Sequence, residues 1–83
     1  MAERILIVED ERDIARVLER HLRYEGYNVE AVSEGEAALR RIYEDPPALI
    51  LLDLTLPDID GLVITRELRE AGIETPILML TAR

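Results

Sequence analysis

Three acidic residues and one hydroxyl stand directly behind apolar runs. Glu9 and Asp10 follow Ile5-Leu6-Ile7-Val8, Asp53 follows Ala48-Leu49-Ile50-Leu51-Leu52, and Thr81 follows Ile77-Leu78-Met79-Leu80. Carboxylates gathered in one place repel one another, so a site that collects three of them either raises a pKa or recruits a cation. With oxygen ligands only, Mg2+ is the natural guest, held by one or two carboxylates, backbone carbonyls, water and a substrate phosphate. An aspartate beside such an ion can attack phosphorus and become an aspartyl phosphate, because the ion neutralises the charge that keeps nucleophile and phosphoryl group apart. A hydroxyl such as that of Thr81 can hydrogen-bond the new phosphoryl oxygens.

The intervening residues must bring these groups together. The aliphatic run at 5–8 reads as a buried strand. Over 13–25 the residues Ile14, Val17, Leu18, His21 and Leu22 recur at helical spacing, with Gly26 placed as a C-cap. Tyr27, Val29 and Ala31 alternate with polar neighbours, as in a less buried strand at a sheet edge. Ser33 and Glu36 fit a capping box that opens a helix to about Tyr43, and Pro46-Pro47 breaks the chain. The run at 48–52 predicts a central strand that delivers Asp53 at its tip. A loop over 57–61 leads into a helix that uses Leu62, Ile64 and Leu68 and ends before Gly72, and Pro76 introduces a last strand at 77–80. Strands alternating with helices imply an α/β fold: a doubly wound parallel sheet, right-handed crossovers and helices on both faces. In such sheets the functional crevice lies beyond the C-terminal strand ends, where Glu9, Asp10, Asp53 and Thr81 all fall.

Composition limits the alternatives. The chain has 83 residues, short of the roughly 100–150 of a usual domain, so one small core is expected. A charged fraction of 34% with 48% hydrophobic residues suits a folded chain rather than a disordered one. The net charge of −8 opposes direct contact with nucleic acid or an anionic membrane, so phosphate chemistry here needs a cation. There is no cysteine, no signal sequence is visible, and no apolar run nears the roughly 20 residues of a membrane span, so a cytoplasmic setting is expected. Neither a glycine-rich phosphate loop nor a dinucleotide fingerprint occurs. Several residues have plain readings: Asp58 and Asp60 as turn or solvated loop residues, and His21 as a packed side chain on its helix stripe.

Taken together, Glu9-Asp10, Asp53, Pro57, Gly61 and Thr81-Ala82 resemble the receiver domain of two-component response regulators over the whole chain. The resemblance implies the flavodoxin-like strand order 2-1-3-4-5 of chemotaxis receivers, of which these residues would supply 2-1-3-4. It implies that Asp53 is the phosphoacceptor and Thr81 the switch hydroxyl. Mg2+ would be bound by Asp10 and Asp53, by Glu9 largely through water, and by Thr55 through its backbone carbonyl. The phosphodonor would be a sensor histidine kinase, and the domain would accept phosphate without being an enzyme in its own right. The Met-Leu-Thr-Ala-Arg ending resembles regulators with a winged-helix output domain.

A receiver continues with a helix, a fifth strand bearing a phosphate-contacting lysine, and a final helix, none of which occurs in 1–83. A truncated receiver is therefore expected, with impaired phosphorylation and with the strand at 77–80 as an exposed edge through which the chain self-associates. The alternative is an interaction module that is not phosphorylated, or an engineered half-domain that assembles through that same strand. A phosphohydrolase with an aspartyl phosphate is disfavoured because Thr55 stands where its second aspartate would be.

Overall fold

The computed structural model describes residues 2–80. Its elements run β1 (Arg4–Val8), α1 (Arg12–Tyr24), β2 (Asn28–Val32), α2 (Gly35–Glu44), β3 (Leu49–Leu52), α3 (Gly61–Glu70) and β4 (Ile77–Met79). The four strands form one parallel sheet in the order β2-β1-β3-β4. This is the flavodoxin-like arrangement that the family resemblance implies.

Side chains of successive strand residues point to opposite faces, so the aliphatic runs of β1 and β3 supply two cores at once. On one face Leu6, Val8, Ile50 and Leu52 meet Ala38 and Ile42 of α2 and Ile64 and Leu68 of α3. On the other, Ile5, Ile7, Val29 and Leu51 are covered by Leu18 and Leu22 of α1. Each of the fully buried aliphatic side chains contributes about 1.5–3 kcal/mol relative to exposure. Helices α1 and α3 both end in a glycine at positive φ, Gly26 at 99° and Gly72 at 81°. In each case the residue after the glycine donates back into the last turn, Tyr27 to Leu22 and Ile73 to Leu68, which satisfies carbonyls the helix leaves open.

Two expectations are corrected. The stripe of α1 is narrower than its periodicity suggests: Ala15 is buried and Leu18 and Leu22 pack inward, while Ile14, Val17 and His21 are exposed. One helix laid on a two-sided sheet covers only one narrow strip, so residues at its flanks stay in water. The capping box at Ser33 does not form either. Glu34 occupies the N-cap position of α2 with no side-chain cap hydrogen bond, and the first amides of the helix are satisfied by a distant residue described below. Among the described residues, no helix is long and apolar enough to cross a membrane.

Candidate functional site

The site follows from the pairing of β1 with β3. Val8 lies opposite Leu52 in the parallel register, so the residues just beyond, Glu9 and Asp53, leave the sheet side by side. Their own amides extend the ladder: Glu9 N–H donates to Val32 O at 3.0 Å and Asp53 N–H to Val8 O at 2.9 Å. Both carboxylates are thereby held by backbone hydrogen bonds and by the buried strands behind them. One ligand oxygen from each of Glu9, Asp10 and Asp53 lies within 4.8 Å of the other two.

Burial divides the three. Glu9 and Asp53 are only 5% and 6% exposed, whereas Asp10 reaches solvent. Loss of water pushes the Glu9 carboxyl up to about 7, aided by the charge and hydrogen bonds of Asp53 and by Asp10, and opposed by the Glu11 N–H that donates to Glu9 Oε2 at 3.0 Å. Three acidic groups crowded in this way, two of them desolvated, form a site whose charge calls for a cation. The all-oxygen donor set fits Mg2+, which takes carboxylates and retains several waters.

The loop that follows β3 is ordered by its own acids. Thr55 N–H donates to Asp53 Oδ1 at 3.1 Å, which fixes the Thr55 backbone beside the cluster while its side chain is exposed. Asp60 caps α3 by accepting from Leu62 N–H at 2.7 Å. Gly61 N–H donates to Leu54 O at 3.0 Å. A Cβ on Gly61 would lie 2.8 Å from Leu54 Cα and 2.9 Å from Asp53 O, so only glycine lets the helix start this close to the acid. Thr81 lies outside the described residues.

A groove of about 320 Å3 opens beside Glu9, with Arg12, Arg16, Glu19 and Ser33 in its wall. Arg12 and Arg16 thus line the same groove as Glu9. A larger groove of about 500 Å3 runs along α1 past Val17, His21 and Tyr24 and shares no residue with the cluster. Sequence reasoning missed Asp58, whose carboxylate caps α2 from across the molecule. No local spacing signals it, because its partners lie 23 and 22 residues away.

Comparison with known proteins agrees with this geometry. The family of the response regulator receiver domain matches residues 5–83. The chain is 45% identical over 83 residues to the response regulator MprA of Mycolicibacterium vanbaalenii, covering the whole chain and 36% of that protein. The same identity and coverage relate it to the response regulator MprA of Mycobacterium ulcerans. It thus spans about 36% of the length of the curated relatives it matches. Among solved structures, the response regulator TrrA of Thermotoga maritima, in complex with Mg2+ and a beryllium fluoride, is 36% identical. It superposes with a TM-score of 0.90 over 98% of this chain and 70% of that one. The N-terminal domain of a response regulator receiver protein from Methanoculleus marisnigri is 32% identical with a TM-score of 0.90, over 100% of this chain and 69% of that one.

Proposed function

The chain belongs to the response regulator receiver family, and on that premise we propose that it accepts a phosphoryl group on Asp53 from a sensor histidine kinase in a Mg2+-dependent reaction. The observation that carries this reading is the placement of Glu9, Asp10 and Asp53 with ligand oxygens within 4.8 Å of one another at the C-terminal end of the sheet. A relative of the same fold crystallised in complex with Mg2+ and a beryllium fluoride supports this reading.

Asp10, Asp53, Glu9 and the backbone carbonyl of Thr55 would hold the ion, which supplies positive charge to the transferring phosphoryl group. An Asp53 carboxylate oxygen attacks phosphorus, the bond from phosphorus to the donor nitrogen breaks, and that nitrogen keeps the electron pair. The Thr55 N–H restrains one Asp53 oxygen through its hydrogen bond. Glu9 adds negative charge that favours cation binding once its own proton has left. Thr81 would then take a phosphoryl oxygen as the switch hydroxyl.

The 83 residues include no lysine to contact the phosphoryl group, so as a separate polypeptide they are expected to accept phosphate slowly. Incubation with phosphoramidate and Mg2+, followed by mass spectrometry, is expected to give an acid-stable, base-labile phosphoryl adduct at Asp53. Asp53→Asn should bring the adduct to background, and equal labelling of that variant would defeat the assignment. In its full-length form the protein would be a cytoplasmic regulator with a winged-helix output, and this segment would contact neither nucleic acid nor membrane.

Self-association is a second reading with its own support. Strand β4 pairs only with β3 among the described residues, and its Leu78 and Met79 are 58% and 38% exposed. A second copy of the 83-residue polypeptide would cover this edge. Light scattering is expected to give a dimer or larger species, and Leu78→Lys a monomer. A monomeric parent at high micromolar concentration would remove this reading.

A further inference from the structure

The loop between β3 and α3 is tied to α2 by one carboxylate. Asp58 Oδ1 accepts from Gly35 N–H at 2.8 Å and from Ile59 N–H at 3.0 Å, while Oδ2 accepts from Glu36 N–H at 3.0 Å. The helix has no local substitute, because its N-cap residue Glu34 makes no side-chain cap hydrogen bond. The fit is steric as well as polar. A Cβ on Gly35 would stand 2.8 Å from Ile64 Cδ1 and 3.1 Å from Ile59 Cβ, so the first turn of α2 is seated directly against the loop and α3. Partial burial pushes the Asp58 carboxyl up, yet the amides of Glu36, Gly35 and Ile59 outweigh it and hold the group below the usual carboxylate range.

The same loop begins with the Asp53–Thr55 hydrogen bond and ends with the Asp60 cap on α3. Its two ends are therefore fixed to β3 and α3, and Asp58 fixes its middle to α2. We infer that Asp58 is a positioning residue: by binding the phosphoacceptor loop to the N-terminus of α2, it keeps the Thr55 backbone and the Asp53 carboxylate where the acid cluster can take a cation. This rests on the Mg2+ reading above for its functional consequence, though not for its structural one.

Amide hydrogen exchange by NMR without metal, together with Mg2+ titration, tests it on the parent chain, Asp58→Ala and Asp58→Asn. Leu22→Ala, on the opposite face of the sheet, serves as a variant that loses stability without touching the loop. In Asp58→Ala, exchange at Gly35, Glu36 and also Thr55 is expected to accelerate beyond the change in global stability. The Mg2+ dissociation constant should rise about tenfold, as when an outer partner of a metal ligand is lost. Asp58→Asn, which keeps one carbonyl acceptor, should fall between the two, and it decides the matter if the alanine variant does not fold. Leu22→Ala should leave Thr55 protection, corrected for stability, and Mg2+ affinity at parent values. Faster exchange at Gly35 and Glu36 alone, with Thr55 and Mg2+ affinity unchanged, would overturn the inference and leave Asp58 a cap of α2 only. If the parent binds no Mg2+, the function proposed above fails, and Thr55 exchange alone decides the role of Asp58.

Discussion

Two groups of acids in this chain meet opposite fates. Glu9 and Asp53 are buried against other carboxylates, and burial pushes Glu9 up to about 7. Asp58 and Asp60 lie on the surface and are satisfied by backbone amides at helix starts, Gly35 and Glu36 for the one and Leu62 for the other. The residue type is nearly the same in both groups. Both groups accept backbone N–H donors, from Glu11 to Glu9 and from Thr55 to Asp53 in the first, so what differs is burial and the further negative charge that crowds the first group. Crowding and burial raise the Glu9 carboxyl in the first group, whereas the second group stabilises the fold as it stands. A chain with net charge −8 thus separates acids crowded at the end of the sheet from acids used in construction.

Glu9 gives the largest way to break this contrast. Its folded value, about 7, lies above its ordinary 4.5, so the native state binds more protons than the unfolded state between those values. Metal-free stability should therefore fall as pH rises through that window and level off above about pH 7. Glu9→Gln should remove the slope and raise metal-free stability by roughly 2 kcal/mol at pH 8, while weakening Mg2+ binding. Urea denaturation from pH 4 to 8 reads the first effect and calorimetric titration the second. A less stable glutamine variant at pH 8 would show that Glu9 belongs with the structural acids.

The structural acids are broken at smaller scale. Asp60→Ala removes the N-cap of α3 and should cost about 1 kcal/mol. Ser33→Ala removes the residue whose spacing suggested a cap for α2 but which does not occupy the N-cap position, and should stay within about 0.5 kcal/mol. The two variants are compared by urea denaturation at neutral pH. A loss at Ser33 equal to that at Asp60 would mean that α2 is capped locally after all and that the tie from Asp58 is secondary.

Much of this organisation was written in short-range patterns. The aliphatic runs ending in Glu9 and Asp53, the glycines after α1 and α3, and the alternation of strands and helices each act over a few residues, and all of them formed where their spacing placed them. The acid cluster was legible for the same reason: a parallel sheet sends its strand tips to one end, so acids at those tips meet. The 2-1-3-4 order itself came from resemblance to a family, since periodicity does not say which strands are neighbours.

The sequence alone determined which elements form and which acids stand at their ends, because hydrogen bonding and side-chain alternation along a chain are local. The tertiary structure decided which acids lose water, which strip of α1 faces the sheet, and whose carboxylate caps α2. Burial depends on what packs above a residue. The amides of Gly35 and Glu36 accept help from Asp58 only because the β3–α3 loop folds back against them.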